Sequence, residues 1–326
     1  MSYHKIISPI IILLLMQSIA FAQLQFSGFA DIQLVSPLDE QVNPEIQYGQ
    51  FELDITATLR PGISFEGAFA LNPETGTFEA GAGFIELTLF EENGQHAVRG
   101  AFFNHTGFSL GQFDVPFGVD WQHNASPDRR LVTAPLLNEK SINGMNDLGL
   151  NFHTDIGKAT LVTFLVNGSD NGFALGGRVA YAPFDAAEMG FSYLTQTQTN
   201  EQGSKPRVVG GDLQTQTGPL ATRLEIHYSQ DLLDGDFSAI DSISTHHGLY
   251  LQADLDLTDI LKLPLVLIGR YDDWSTVNNI DEAQRTTVGL AYSMTEELEF
   301  RAEYLSDFAN GDQDNHQLSI QTVVSF

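Results

Sequence analysis

The sequence predicts an all-β fold: a transmembrane antiparallel β-barrel of about sixteen strands, with 14 to 18 compatible with the pattern, and a long third extracellular loop folded into the lumen. Three observations lead there. Stretches in which apolar and polar residues alternate with a period of two recur along the chain, whereas helical i, i+3, i+4 spacing is rare. The connections between those stretches alternate between tight turns and long polar loops. The chain ends HQLSIQTVVSF, with Leu318, Ile320, Thr322, Val324 and Phe326 on one parity and Gln317, Ser319, Gln321 and Ser325 on the other. A terminus that alternates to its last residue must be paired, because an unpaired one frays.

The N-terminus comes first. MSYHK is a short basic start, Ile10 to Met16 is an apolar core, and Ala20-Phe21-Ala22 is a small-residue cleavage pattern. Residues 1–22 are therefore read as a secretory signal peptide and 23–326 as one barrel domain. No later apolar run approaches the ~20 residues of a membrane helix; LPLVLIG at 263–269 is strand-sized. A mean hydropathy of -0.08 suits a barrel, whose lipid-facing and lumen-facing residues average out. There is no cysteine, so an exported chain of this kind depends on strand pairing and burial.

The strands follow in order. The first, 24–35, is LQFSGFADIQLV, the partner expected to close the barrel against 316–326. The second, 46–59, sets Phe51, Leu53, Ile55, Ala57 and Leu59 against Glu52, Asp54, Thr56 and Thr58; RPG at 60–62 turns it into the third, 63–72. Strands at 78–90 and 97–112 lead to the longest connection, 113–145. After it, 146–154 turns through DIG (155–157) into 158–167, and 173–182 turns through PFDA (183–186) into 187–197. The strand at 205–215 passes QTG (216–218) into 218–229, where Leu220, Leu224, Ile226 and Tyr228 oppose Arg223, Glu225 and His227. In 247–257, Leu249, Leu251, Leu255 and Leu257 oppose Gln252, Asp254 and Asp256; 264–273 and 284–294 follow. TEE (295–297) then leads to 298–305, with Phe300 and Tyr304 against Glu299, Arg301 and Glu303. The long connections are 36–45, 113–145, 230–246, 274–283 and 306–315. Short turns at one end and long loops at the other are the pattern of a bacterial outer-membrane barrel, with both termini at the periplasmic, short-turn end.

One region carries a closer likeness. GQFDVPFGVDW (111–121), DRRLVTAPLL (128–137), NDLGLNF (146–152), FLVNG (164–168) and GGRVAYAPF (176–184) resemble, in this order, the phosphate-selective porin O and P family. Outside these segments the likeness is the barrel pattern alone. It implies a sixteen-stranded, trimeric channel for passive diffusion of small hydrophilic solutes and ions. The family's substrate does not carry over, because phosphate selectivity there depends on clustered basic pore residues and this chain has 15 Lys and Arg against 42 Asp and Glu. The alternating end with terminal Phe326 is also similar to the C-terminal signal that such barrels present to their assembly machinery.

Candidate site residues follow from the long connection. Its charges, Asp114, Asp120, Asp128, Arg129, Arg130, Glu139 and Lys140, are the expected pore constriction, where opposite charges create a transverse field. Arg99, Arg178, Arg223, Arg270 and Arg301 fall on the inward parity and are the expected basic pore wall. The competing reading is cross-strand pairing with carboxylates such as Glu225 or Glu303, favoured for Arg223 and Arg301. Inward Glu52, Asp54, Glu66, Asp254, Asp256, Glu299 and Glu303 point to a cation preference.

Other chemistry is poorly supported. GFSLG (107–111) has the spacing of a nucleophile elbow, but Pro116 rules out the helix that must follow Ser109. His153, His227, His246 and His247 lack metal-ligand spacing, and the acidic loops 272–282 and 307–315 do not fit a calcium loop. No catalytic, cofactor or metal site is expected. A net charge of -27 excludes nucleic acid as a partner. The expected partners are small solutes or ions, outer-membrane lipids, the assembly machinery and two further copies in a homotrimer. A barrel-type outer-membrane enzyme, which would have fewer strands, and a soluble carbohydrate-binding β-sandwich are the alternatives.

Overall fold

The computed structural model describes residues 23–38, 42–72, 76–91, 105–141, 145–168, 172–199, 205–232, 244–276, 282–309 and 315–326. The signal segment 1–22, Arg99 and the beginning of the fifth predicted strand lie outside the described residues.

Sixteen strands form one closed antiparallel sheet in which each pairs with its sequence neighbours and β1 pairs with β16. They are β1 (Gln23–Pro37), β2 (Glu45–Arg60), β3 (Ile63–Asn72), β4 (Thr77–Glu91), β5 (His105–Asp114), β6 (Asn146–Ile156), β7 (Ala159–Asn167) and β8 (Phe173–Phe184). The second half comprises β9 (Ala187–Gln196), β10 (Arg207–Thr217), β11 (Leu220–Leu232), β12 (Ser244–Asp256), β13 (Leu265–Thr276), β14 (Glu282–Ser293), β15 (Leu298–Ala309) and β16 (Asn315–Ser325). A single sheet closed on itself removes the sandwich alternative. Asp114, expected in the long connection, closes β5. Two short helices, α1 (Leu136–Lys140) and α2 (Thr258–Leu261), were not expected from the sequence.

The turns are set by glycine. Gly62, Gly157 and Gly218 hold φ values of 76°, 62° and 56°, a left-handed backbone that residues with a Cβ avoid, and each closes a tight connection at one end of the barrel. The seam pairs Phe29 with Ser325 through Pro37 with Gln317. It is extended by two backbone bonds between Gly28 and Phe326, at 3.1 and 3.0 Å. The Phe326 ring lies over Gly28, where a Cβ would meet its Cζ at 2.9 Å. The last residue is thereby part of the closure.

Alternation sorts the side chains. Phe26, Tyr48, Phe191, Val288 and Ile320 are among the large apolar residues exposed on the outer face, the surface a lipid bilayer would cover. Inner faces differ around the circumference. Through the middle of β8 and β14 every second residue is buried, whereas residues 49–56 of β2 are intermediate on both parities. Buried inner side chains mean that something covers them, and the residues between β5 and β6 do so.

Candidate functional site

The chain over residues 115–141 turns into the lumen and is held there by apolar knobs and by carboxylates. Val115 and Phe117 pack with inward Phe164, Val166, Ala174, Leu194 and Val208. Leu136 and Leu137 pack with Tyr250 and Trp274, and Leu131 with Ile268 and Ala291. Three inward glycines make room. A Cβ on Gly210, Gly248 or Gly289 would run into Phe117, Leu137 or Leu131 respectively. The wall is therefore recessed where the loop projects.

Polar anchors fix the register. Glu225 accepts from the backbone N–H groups of Val119 (3.1 Å) and Asp120 (3.2 Å). Glu303 accepts from Val132 N–H (2.7 Å), Thr133 N–H (3.1 Å) and the Thr133 hydroxyl (2.8 Å). Asp272 accepts from Leu136 N–H at 3.0 Å, while Arg270 donates to Asp272 and to the carbonyls of Thr133 and Ala134. On the opposite side, Gln50 and Asp31 accept from the Ser126 N–H and hydroxyl. A loop inside a barrel has no ladder to satisfy its amides, and buried charge-assisted acceptors take the ladder's place.

Each expected constriction residue has a definite place. Asp120 begins a 3₁₀ turn, is buried, and accepts from the Tyr250 hydroxyl at 2.9 Å. Asp128 is exposed at the loop tip, and its backbone carbonyl faces His123 Nδ1 at 3.2 Å. Arg130 pairs with Glu299 at 2.8 Å. Arg129 is half-buried behind it, contacts Ser126 Oγ at 3.4 Å, and leaves its Nε without a partner. Glu139 pairs with Arg285 at 2.6 Å. Asp114 accepts from Asn146 at 2.8 Å, and Lys140 ends α1 half-buried.

The expected basic wall divides. Arg178 is fastened to Asp212 and Glu188 across Gly190, whose missing side chain lets the groups meet over an intervening strand. Arg270 supports the loop. The expected pairing of Arg223 with Glu225 and of Arg301 with Glu303 is not what forms, because both carboxylates are occupied by loop amides. Arg301 bonds Glu299 at 2.6 Å instead, and Arg223 has Asp120 and Asp254 at 3.8 and 4.0 Å. Glu299 and Glu303, read as open cation-attracting groups, are thus engaged.

A different part of the wall is left open. Inward Glu52 and Asp54 on β2 and Glu66 on β3 are half-buried and have no basic partner among the described residues. Glu52 and Asp54 follow Gln50, the β2 residue that holds Ser126, and so stand beside the loop tip. Ser109 lies within β5, donates to Glu86 at 2.6 Å, and its strand continues rather than turning into a helix.

The loop's own titratable groups are perturbed. Burial, then the Glu225 carboxylate, raises the Asp120 carboxyl, with Arg223 and the Tyr250 hydroxyl opposing. Burial raises Asp128, opposed by Arg301. Burial and then Arg223 lower His123, which keeps its imidazole neutral near pH 7.

No family model and no curated protein matches the sequence. Solved structures do match. The anion-selective porin from Comamonas acidovorans aligns with a TM-score of 0.69 at 12% identity, over 94% of this chain and 100% of that one. OmpF of Salmonella typhi, in complex with daunomycin, aligns with a TM-score of 0.68 at 11% identity, over 93% and 97%. OmpT, an outer membrane protein of Vibrio cholerae in a trimer form, aligns with a TM-score of 0.65 at 10% identity, over 94% and 99%. At such identities the likeness establishes the fold.

Proposed function

We propose that the chain is an outer-membrane porin, a water-filled channel for passive diffusion of small hydrophilic solutes and ions. The observation that carries this is a loop docked inside a closed sixteen-stranded barrel, seated against β7–β16 and reaching β1 and β2 through Ser126, with inward Glu52, Asp54 and Glu66 left without a basic partner among the described residues. A bore narrowed but lined by charge passes hydrated solutes, and its fixed charges select among them. Asp128, Arg129 and Arg130 at the loop tip are the constriction, and Glu52, Asp54 and Glu66 are the facing wall. Rings of carboxylates favour cations, so the channel prefers cations even though the Comamonas protein is named anion-selective.

Several parts of this reading rest on sequence. Residues 1–22 export the chain and Gln23 starts the mature protein. Phe326 is the assembly signal, both termini are periplasmic, and the channel is a homotrimer without enzymatic activity. The likeness to phosphate-selective porins O and P stands on the five segments quoted above and extends to channel type, not to phosphate. Planar-bilayer recording of the purified protein tests the proposal. Stepwise conductance with a cation-selective reversal potential in a salt gradient supports it; a protein that incorporates without conducting refutes it.

A further inference from the structure

Beneath the loop tip, at the short-turn end, a half-open cavity of about 480 Å³ lies between His123, Asp128 and Arg130 of the loop and Gln214, Arg223 and Asp254 of β10–β12. That volume falls within the ~300–1,000 Å³ range of small-molecule sites. Its central group is Arg223. Arg178, Arg270, Arg285 and Arg301 each donate to a carboxylate at 2.9 Å or closer. The Arg223 side chain makes no hydrogen bond with the described residues: its two carboxylate neighbours stand at 3.8 and 4.0 Å, beyond donor reach. Its side chain is only 12% exposed, so bulk water does not replace those bonds freely. A guanidinium with five donors, largely withdrawn from solvent and lining a cavity, is prepared for a planar oxyanion.

The surroundings decide which oxyanion. A simple anion on Arg223 would lie against the Asp254 carboxylate, with Asp128 across the cavity. A simple cation near Asp254 or Asp128 would meet Arg223 and Arg130. Both arrangements bring like charges together, which costs affinity. A solute with a carboxylate and an ammonium a few bonds apart satisfies both sets. Its carboxylate takes the Arg223 fork, and its ammonium turns to Asp254, whose Oδ1 already accepts from Gln252 at 2.8 Å and whose Oδ2 is nearer Arg223.

We propose that this cavity is a binding subsite for small zwitterionic solutes of the amino-acid type, with Arg223 as carboxylate receptor and Asp254 as ammonium receptor. It rests on the channel reading and deepens it, since His123, Asp128 and Arg130 of the loop form one side of the cavity. No covalent step is involved.

The test records ion current through the full-length mature channel while L-alanine, acetate or methylammonium is added, in the parent, Arg223→Gln and Asp254→Asn. L-Alanine is expected to reduce the parent current reversibly at concentrations where acetate and methylammonium do not. Arg223→Gln weakens that response about tenfold or more, the loss of one charge-assisted bidentate contact. Asp254→Asn weakens the L-alanine response and strengthens that to acetate. Acetate acting as strongly as L-alanine on the parent, or an Arg223→Gln response equal to the parent's, overturns the proposal. Calorimetric titration of the detergent-solubilised barrel with the same three probes separates the two readings. L-Alanine heat that disappears in Arg223→Gln supports the subsite even if the protein conducts nothing, whereas its absence in a conducting parent overturns the subsite alone.

Discussion

Two parts of one barrel follow the same alternating pattern and come to opposite ends. On β8–β16 many inward side chains are buried, Glu225, Asp272 and Glu303 accept loop amides, and Gly210, Gly248 and Gly289 receive Phe117, Leu137 and Leu131. On β2 and β3 the inward carboxylates Glu52, Asp54 and Glu66 have no basic partner among the described residues, and the burial of β2 is intermediate on both faces. The difference teaches that an inward charge is not by itself a pore charge. Where the loop lies against the wall, charge serves as scaffolding; where it does not, charge meets passing ions.

Both walls exist only while the circumference is closed, and the largest effect is expected at the seam. Deleting Phe326 is expected to abolish most assembled protein, although burying one Phe is worth only ~1.5–3 kcal/mol. Outer-membrane yield and heat-modifiable gel migration measure this, and a normal yield would remove the assembly role. Next comes the stitched wall. Changing Glu225 and Glu303 together to Ala strips acceptors from four loop N–H groups, each worth about 1–3 kcal/mol when left buried and unpaired. The loop should leave the wall, larger conductance steps should appear, and trypsin should cut after Arg129 or Arg130. Unaltered conductance and protease resistance would mean that the apolar knobs suffice.

The open wall gives a smaller effect. Glu52→Gln with Asp54→Asn should move the salt-gradient reversal potential toward zero while leaving the step size nearly intact. The shift should grow at low salt, because the Debye length is only about 8 Å at 0.15 M. Asp259→Asn, on exposed α2, should do nothing. An equal shift from both would erase the distinction between the walls.

The smallest effect is in pH. Asp120 faces Glu225, Arg223, Tyr250 and His123, and its carboxyl is raised in the docked loop. The docked state therefore holds a proton that a free loop has released, so docking weakens as pH rises from the ordinary carboxylate range through the raised value. Single-channel conductance should rise modestly as pH climbs above the ordinary carboxylate range and lose that trend in Asp120→Asn. A parent conductance that is flat with pH there would contradict it.

The barrel was legible because lipid and lumen impose a period of two, and because DIG and QTG announce their turns with a glycine at positive φ. The loop was legible from its length. Its partners were not. Glu225 and Glu303 look like neighbours for Arg223 and Arg301 two positions away, but the winning donors are amides of a segment more than a hundred residues upstream. Sequence spacing has no access to that trajectory. A signal was present nonetheless: glycines at 210, 248 and 289, on inward positions of otherwise well-formed strands, mark where another backbone comes close.

The distance between loop and anchors also sets an order of events. Val132 finds its acceptor 171 positions later, and Arg130 finds Glu299 169 positions later. When the loop emerges from synthesis, β15 does not exist. Contacts of such separation cannot form before the ladder between them has brought their ends together. The stretch around Arg130 and Val132 is therefore fastened only when β15 joins the sheet, whereas Val115 and Phe117 can seat as soon as β7–β10 stand beside them. The loop is sewn in from its N-terminal end, and its last stitches wait for the last strands.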